Sequence, residues 1–513
     1  MMRLTNMGPI MATKYGYPPL LLLAFLACSG GDDNRLQPEP PPPQLAPYSG
    51  DHQTGTPGST LPTPLRVLVT DAVGAPLPDM EVTWSVLTGG GSVSPASSRS
   101  GADGVATTVF TLGPVEGEQQ VQAQLPGEQP QGTAVVFRAV ATAPAPPPPP
   151  PPPPPGFDLE VAGGGNNVPE RYSSDLWVHG GYAYTGTWGG IARGSRFGNV
   201  LKIWALSAAG APSLLDSIKI AGVNTVSDVE VSPDGRVLMF STESGSNAGL
   251  YLYSLADPAR PTLLDHALVP SGIHTATFGE IGGRRYAFAA RNPSGPALLI
   301  YDVTDPADMS LVAQVSVPPN YGIHDTFVRD GLAFVFAWDT GVIIYDVGNG
   351  IRGGAPAAPV EVSRVVTDDA DVGSPSSHNG WWFHNPVTGE RRYLFVGQEG
   401  PAVIGSRASG DIHVVDVSDL ANPREVAFYR LNGAGAHNFW MDERKQILYA
   451  AYYNGGVVAL DVSGTLSGNL AGRELDRLRP GGAGNTFTWG VQLANGFLYA
   501  SDMVSGLWQL TTE

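Results

Sequence analysis

The stretch that decides the fold is residues 322–347, GIHDTFVRDGLAFVFAWDTGVIIYDV, because its pattern returns repeatedly from Ser174 to the C-terminus. A His or Ser before Asp or Asn opens a short apolar strand, and a turn around Asp330 and Gly331 leads to a second strand. A third strand then ends the unit. This pattern predicts a small antiparallel meander as the repeating unit of the fold.

The third strands give the number of repeats. Most neighbouring copies lie roughly 44 to 49 residues apart, which is the period of a four-stranded β-propeller blade. The step from Asp346 to Asp416 is longer, at about 70 residues, so the fourth and fifth blades are expected to carry insertions. About seven copies align, at residues 203–206, 252–255, 300–303, 344–347, 414–417, 458–461 and 507–510.

The two ends of the repeat region are incomplete in complementary ways. The last copy stops after its third strand, whereas an orphan strand, FDLEV at 157–161, precedes the first copy. We expect this strand to complete the last blade, since ring closure removes exposed sheet edges that promote pairing between chains. The predicted fold class is therefore all-β, a seven-bladed β-propeller preceded by an immunoglobulin-like β-sandwich.

Third strands that end in Tyr-Asp-Val or Val-Asp-Val, followed by an Asp-Pro or Asn-Pro turn, resemble the LVIVD-repeat family. The resemblance covers about residues 157–513 and implies a propeller. It implies little about activity, because family members are mostly of undefined function and propellers host many unrelated chemistries.

A different pattern occupies residues 47–142. Apolar residues alternate at period two in five segments that turn residues separate, and this indicates a β-sandwich with Trp84 in its core. Segments such as GGGSV at 89–93 and DGVA at 103–106 resemble the Big-1 type of bacterial immunoglobulin-like domain, found in invasin- and intimin-like surface proteins. The resemblance implies a rigid spacer. The predicted strands are 65–69, 82–86, 105–112, 121–125 and 135–140.

Two proline-rich segments flank the sandwich. Residues 28–46 lack the apolar content for a core and are predicted to form a tether. Residues 143–156 contain an unbroken run of prolines at 146–155, for which we expect a semi-rigid polyproline rod of roughly 30 Å between sandwich and propeller.

The only Cys of the chain, Cys28, directly follows an apolar run at 20–27 that basic residues precede. Residues 1–27 therefore indicate a secretory signal, too short for a spanning helix, with Met11 as an alternative start. The residues up to Cys28 resemble a bacterial lipobox, which implies acylation of Cys28 and an exported protein anchored to the outer membrane, on its cell-surface or periplasmic side. The alternative is an ordinary signal peptide with an incidental Cys.

Composition excludes several kinds of protein. A net charge of −18, with 29 Lys and Arg against 47 Asp and Glu, argues against nucleic-acid binding. A single Cys excludes an internal disulfide and a multi-Cys metal site. The sequence also lacks the short motifs of zinc proteases, serine hydrolases, P-loop enzymes and dinucleotide-binding folds. We expect a monomer.

One set of residues suggests chemistry. Four His residues occupy the same repeat position in four consecutive blades, at the entry to the innermost strand, and are expected to lie together around one mouth of the channel. Converging imidazoles suit copper, zinc or iron. The alternative is structural, because Ser174 and Ser227 hold this position in the first two blades and the alternation up to Val328 predicts that the His face a neighbouring blade. The four residues are His274, His324, His378 and His437.

Three further features lie in the same repeats. The Asp and Asn residues that follow these positions are predicted to stabilise turns, with an acidic channel as the alternative; they are Asp175, Asp228, Asp325, Asn379 and Asn438. Four Trp residues near the same entry are expected to pack in cores or to stack a sugar or aromatic ligand; they are Trp381, Trp382, Trp440 and Trp489. The acidic segment 367–371 is interpreted as a solvated loop rather than a calcium site.

The sequence as a whole favours a lipid-anchored, exported bacterial protein that presents a propeller for ligand binding or adhesion. A metal-dependent oxidoreductase that uses the His set is the alternative, and a structural role in an envelope complex is a third possibility. We expect a binding protein rather than an enzyme, and the sequence leaves the ligand open.

Overall fold

The computed structural model describes residues 42–127, 134–142, 156–165, 171–189, 198–207, 210–292, 295–317, 322–369 and 372–512. The chain forms two compact units, residues 1–146 and 147–513, which are described one at a time. The predicted signal peptide, Cys28, most of the tether and the proline run lie outside the described residues. Within those ranges, no helix is long and apolar enough to cross a membrane.

The first unit is a β-sandwich of two sheets. One sheet has the strand order β1-β3-β7-β5 and the other has the order β2-β9-β8-β4-β6. All five predicted strands are present. The four further strands, which were not predicted from the sequence, are short or lie at the edge of a sheet. The strands are β1 (Gln44–Ser49), β2 (Gln53–Gly55), β3 (Leu65–Thr70), β4 (Glu81–Thr88), β5 (Ser92–Ser94), β6 (Ser97–Arg99), β7 (Val105–Thr111), β8 (Gly117–Gln124) and β9 (Ala134–Ala141).

The core of the sandwich follows from the alternation of its strands. Along β9 buried and exposed residues alternate without a break, so that every second side chain meets the other sheet. Trp84 is buried in this core beside Phe137, and its indole N–H donates a hydrogen bond to Ser98 Oγ at 2.9 Å. The prediction of Trp84 as a core residue is confirmed.

The second unit is a propeller of seven blades, as predicted, each with four antiparallel strands, and in the fifth blade the short strand Gly468–Asn469 adds a parallel fifth strand. Blade 1 contains β11 to β14, and the sixth and seventh blades are completed by β35 and β10. Its strands are β10 (Leu159–Gly164), β11 (Tyr172–His179), β12 (Tyr182–Trp188), β13 (Val200–Ala205), β14 (Ser213–Lys219), β15 (Thr225–Val231), β16 (Val237–Glu243), β17 (Gly249–Ser254), β18 (Thr262–Leu268), β19 (Ala276–Ile281), β20 (Arg284–Arg291), β21 (Ala297–Asp302), β22 (Ser310–Ser316), β23 (Asp325–Arg329), β24 (Leu332–Phe336), β25 (Val342–Asp346), β26 (Val360–Val365), β27 (Ser377–Phe383), β28 (Tyr393–Gln398), β29 (Ile412–Asp416), β30 (Arg424–Tyr429), β31 (Phe439–Asp442), β32 (Ile447–Ala451), β33 (Val457–Asp461), β34 (Gly468–Asn469), β35 (Glu474–Leu478), β36 (Thr488–Ala494), β37 (Phe497–Asp502) and β38 (Gly506–Thr512).

The middle strands of each blade are largely apolar because both of their faces are buried. In β24, Val335 packs against the third blade, whereas Phe334 packs against the fifth. Successive side chains of a strand point to opposite faces, so one strand contributes to two cores. The hydrophobic stretch of the repeat therefore joins each blade to both of its neighbours.

The predicted ring closure is confirmed. Strand β10 pairs with β38 in antiparallel register, with Leu159 opposite Thr512 and Val161 opposite Leu510. Leu159 is buried in a cluster that includes Leu510, and its backbone N–H donates to the Asp476 carboxylate at 2.7 Å. The N-terminal strand of the propeller is therefore the fourth strand of its last blade.

The Asp residues of the repeat have a local role. At the end of the third strand, the side chains of Asp302, Asp416 and Asp461 each accept a hydrogen bond from the N–H two residues on, at 2.9 to 3.0 Å. In the following turn, Asp305 and Asp419 do the same for an Ala residue. These bonds satisfy backbone donors where the strand ladder ends, which explains why the Asp recurs from the third blade to the sixth.

Asp346 shows this role in its most extended form. Its two carboxylate oxygens accept five backbone N–H bonds from the loop after β25, between Gly348 and Gly354, at 2.7 to 3.2 Å. Burial favours the neutral acid, but these donors outweigh burial and lower the pKa of Asp346 to about 2. The carboxylate therefore holds the first of the predicted insertions, residues 347–359, in place.

We expect Asp346→Asn to lower the free energy of unfolding by about 2 kcal/mol at pH 7, because the amide cannot accept all five bonds. A depressed pKa stabilises the fold above the unfolded-state pKa of Asp and ceases to do so as pH falls through the folded value. The difference between wild type and variant should therefore shrink between pH 4 and pH 2. Denaturant titration across this range measures it, with the exposed Asp369→Asn as the control. A difference that does not change with pH would contradict the assignment.

Candidate functional site

The four His residues form one buried row at the entry to the propeller channel. The Nε2 atoms of His274 and His324 lie 2.6 Å apart. The rings of His324 and His378 are centred 3.7 Å apart, and those of His378 and His437 are centred 4.2 Å apart. All four are nine-tenths buried or more. The expectation that they lie together is confirmed.

The expectation that these His face a neighbouring blade holds in part, since His274 bonds to Glu243 of the second blade and His437 to Trp489 of the seventh. The four rings also contact one another, however, and the backbone shows why. The N–H groups of His274, His324 and His437 each donate to the second strand of their own blade at 2.8 Å, one or two residues before the innermost strand begins. His378 lies at a break in register between Ser377 and Asn379. The two-residue alternation of a regular strand does not extend across such a break, so the imidazoles point into the channel.

Hydroxyl groups, rather than the imidazoles, hold the strand entries together. Ser241 Oγ donates to the carbonyl oxygen of His274, and Thr275 Oγ1 donates to that of His324, both at 2.6 Å. Ser174 Oγ donates to the carbonyl oxygen of Val226 at the same distance. Hydroxyl groups therefore make the bonds between neighbouring strand entries that Ser174 makes in the first blade. The His rings are not needed for these bonds.

Two of the imidazoles are oriented through Nδ1. His437 Nδ1 donates to the carbonyl oxygen of Trp489 at 2.6 Å, and His274 Nδ1 lies 2.5 Å from Glu243 Oε1. For His437, a proton on Nδ1 leaves the lone pair on Nε2, which has no other partner among the described residues. Metal-binding His residues commonly have such a carbonyl or carboxylate partner, which fixes the tautomer and the ring orientation.

Glu399 adds a carboxylate to the same layer. Its Oε2 atom lies 3.8 Å from His324 Nε2 and 3.6 Å from His378 Nε2, and its other oxygen accepts a short hydrogen bond from the Tyr453 hydroxyl. The ligand atoms of His324, His378 and Glu399 all lie within 4.8 Å of one another. Glu399 begins the insertion at 399–411 of the fifth blade, so an insertion supplies part of the site.

Burial keeps most of the row neutral. It lowers the pKa of His378 to about 3, and together with the neighbouring imidazoles it lowers the pKa values of His324 and His437 well below their usual range. For His274, burial acts in the same direction, but the charge and hydrogen bond of Glu243 outweigh it and raise the pKa. Three neutral imidazoles therefore offer lone pairs, while His274 can donate its Nε2–H to His324.

Some of these nitrogens are unsatisfied. Within the part of the chain that the structure describes, the buried Nε2 atoms of His378 and His437 have no hydrogen-bond partner. A buried polar atom without a partner costs about 1–3 kcal/mol, so it is rare and calls for an explanation. An ion between these nitrogens would supply one.

A cavity of about 360 Å³ opens onto the His row from one mouth of the channel. His274, His324 and His437 form its base together with Glu243 and Glu399. Apart from the polar Asn292, the remaining walls are aromatic or aliphatic, and they are Trp188, Trp338, Ala402, Ile404, Tyr453, Phe487, Trp489 and Met503.

A second cavity, of about 230 Å³, lies on the opposite side of the His row. The Asp and Asn residues that follow the His position line this cavity, as the acidic-channel alternative expected. They are Asp175, Asp228, Asp325, Asn379 and Asn438. They also join blades, since Asp228 accepts from the N–H of Ala276 and Asn438 donates to Asp175, at 2.8 and 2.9 Å. Burial and the neighbouring Asp228 raise the pKa of Asp325 to about 7.

The four predicted Trp residues do not share one mouth. Trp489 lines the cavity beside the His row, whereas Trp381 and Trp440 line the opposite cavity. Trp382 is buried between blades against Phe334, because adjacent residues of a strand face opposite sides. The expectation that they cluster near the His entry is therefore wrong for three of the four.

The acidic insertion is exposed where the structure describes it. Asp368 and Asp369 are exposed, and Asp371 lies outside the described residues. Other residues of the candidate site were not found from the sequence. Glu243 and Trp188 end second strands, and Trp338 and Tyr453 lie two residues after theirs, a shared position that alignment of the second strands would have revealed.

Comparison with known proteins supports both resemblances. No curated protein matches this chain. Among solved structures, the β-propeller domain of Cps50 (Swd1) from Myceliophteria thermophila is similar, with 12% sequence identity and a TM-score of 0.44 over 67% of this chain and 97% of that chain. Residues 60–138 match the bacterial Ig-like domain (group 1), and residues 170–192 and 408–430, in the first and fifth blades, match the LVIVD repeat.

Proposed function

We propose that the propeller binds a first-row transition-metal ion in its channel, and that this ion is the centre of its function. The observation that carries the proposal is the convergence of four imidazoles from four consecutive blades on one buried layer that also contains Glu399. Nitrogen ligands with one carboxylate suit copper, zinc or iron, and they are a poor match for calcium or magnesium, which prefer oxygen.

The ligands with the strongest support are His324, His378 and Glu399, whose ligand atoms all lie within 4.8 Å of one another, and His437 is the next candidate. Nε2 of His378 and of His437 is unsatisfied, whereas Nε2 of His324 lies 2.6 Å from Nε2 of His274 and 3.8 Å from Glu399 Oε2. His274 is the further candidate, since Glu243 orients its ring. Neutral imidazoles bind a metal ion without first losing a proton, so the lowered pKa values favour binding at neutral pH.

The adjoining cavity favours a site that also binds a small molecule. Structural metal sites are usually closed by protein ligands, whereas catalytic sites keep one position open. The cavity reaches the imidazoles directly. We therefore place ligand binding at the ion, rather than adhesion through the outer surface, as the main role, and the open position makes a metal-dependent oxidoreductase the second candidate.

The domain types fit a secreted or surface protein. We propose that acylated Cys28 anchors the chain to the outer membrane and that the immunoglobulin-like domain acts as a spacer for the propeller. Three acyl chains hold a protein much more firmly than one. Replacement of Cys28 by Ala should move the protein from the membrane fraction to the soluble fraction and remove the acyl mass. A variant that stays in the membrane fraction, with no acyl mass on wild type, would contradict the anchor.

Elemental analysis tests the metal site. Protein produced with copper, zinc and iron available should retain about one ion per chain after dialysis, because ligands fixed by a rigid ring lose little entropy on binding. Full-length protein that is folded and carries none of the three ions would contradict the proposal.

A further inference from the structure

The cavity beside the His row has an aromatic wall of specific shape. The rings of Trp188 and Trp489 are centred 5.1 Å apart, and Tyr453 stacks on Phe487 at 4.3 Å. Trp338 stands perpendicular to the ring of His324 at 4.8 Å. These separations lie within the range of attractive contacts between aromatic rings. The wall therefore presents ring faces and ring edges to a planar ligand.

Two of these side chains are held in a conformation that favours glycine. Trp338 and Tyr453 have φ values of 48° and 38°, in the left-handed region. Their backbones bond to the next blade, Trp338 through two bonds of 3.1 Å with Ser377 and Tyr453 through one of 2.9 Å from Thr488. A large side chain is unfavourable at such a position, and strain of this kind concentrates at ligand sites. Both side chains line the cavity.

The charges of the cavity disfavour an anion. Among the described residues that line it there is no Lys or Arg. Its two carboxylates already have partners, since Glu243 pairs with His274 and Glu399 accepts a hydrogen bond from Tyr453. Little negative charge is left over to attract a second cation, and apart from the proposed ion and His274, which Glu243 offsets, the described lining supplies no positive charge for an anion.

We infer that this cavity binds a small, uncharged aromatic molecule whose hydroxyl oxygen reaches the metal ion while its ring lies among Trp188, Trp338 and Trp489. The inference rests on the proposed function, because it places the oxygen at the open position of the ion. The ring-to-ring contacts select for planarity, the ion selects for an oxygen donor, and the absence of basic residues in the wall selects against carboxylates.

Isothermal titration calorimetry with metal-loaded, full-length protein tests the inference. The probes are 2-naphthol, its fully saturated analogue decahydro-2-naphthol, and 2-naphthoate. We expect 2-naphthol to bind about tenfold more tightly than either of the other two, because only this probe combines a ring that stacks with an uncharged hydroxyl. Trp338→Gly should weaken 2-naphthol binding about tenfold, whereas Trp381→Ala, which changes the opposite cavity, should leave it unchanged.

Glycine suits the φ angle of residue 338, so the backbone of the Trp338→Gly variant is expected to hold. Metal content is measured on every preparation. If metal-loaded wild type binds the three probes equally, or if Trp338→Gly retains both its ion and full affinity for 2-naphthol, the inference is overturned and the metal site stands. A wild-type protein without any ion overturns the proposed function, and the inference fails with it.

Discussion

Removal of residues 156–162 is expected to make the propeller unstable and prone to self-association. The deleted segment contains most of β10, which covers the edge of β38 through paired residues from Leu159 to Val161. Without it, the N–H and C=O groups of β38 on that side lose their partners, and an unpaired sheet edge templates contact with other chains. Thermal unfolding and sedimentation of the deleted and parent proteins measure the two effects.

A pair of point variants separates lost burial from lost pairing. Leu159 is 4% exposed and packs in the core of the last blade, whereas Val161 is 43% exposed on the same strand. Leu159→Ala should lower the free energy of unfolding by about 2–5 kcal/mol, and Val161→Ala by less than about 1 kcal/mol. A deleted protein as stable and monomeric as its parent would contradict closure through β10.

The second large effect is expected from replacement of His324 and His378 together by Ala. These residues supply two of the nitrogens nearest Glu399, and their loss should reduce the retained metal to less than about one-tenth of the wild-type amount. The matched control replaces His413 and His266. His413 bonds to Glu425 in the fifth blade and His266 stacks on Tyr251 in the second blade, both on outer strands away from the His row. The control protein should retain the full amount of metal.

Thermal stability distinguishes a metal site from structural His residues. An ion at one hundred times its dissociation constant stabilises the folded state by about 2.7 kcal/mol, and the paired variant should not respond to it. In metal-free protein the substitutions should cost little, since both ring nitrogens of His378 lack a hydrogen-bond partner among the described residues. If the variant is instead strongly destabilised without metal, and wild type binds none, the His row is structural.

Much of the fold could be predicted because the blades repeat the same strand pattern and the same turn interactions. The Asp that ends a third strand caps the turn after it, as Asp302 and Asp416 do, and this requirement recurs in the sequence at the period of a blade. The orphan strand at 157–161 was recognisable because the last blade lacked its fourth strand. Short edge strands such as β5 were missed, since three residues carry too little pattern.

The candidate site was only half predictable. The four His share a repeat position, so their meeting followed from blade symmetry, whereas their direction did not. A break in strand register, as at Ser377, reverses the face that alternation predicts. Glu243 and Glu399 occupy the second-strand position that Trp188, Trp338 and Tyr453 hold in other blades, and the different residue types at this position conceal the repeat. A site that is built from single residues of several blades leaves no contiguous motif in the sequence.

The measurement that tests the metal centre most directly is anomalous diffraction from crystals of metal-loaded protein, recorded at the absorption edge of the retained ion. The account predicts one strong peak in the channel, about 2.0–2.3 Å from the Nε2 atoms of His324, His378 and His437 and within bonding distance of Glu399. A peak elsewhere on the molecule, with none between these imidazoles, would contradict it.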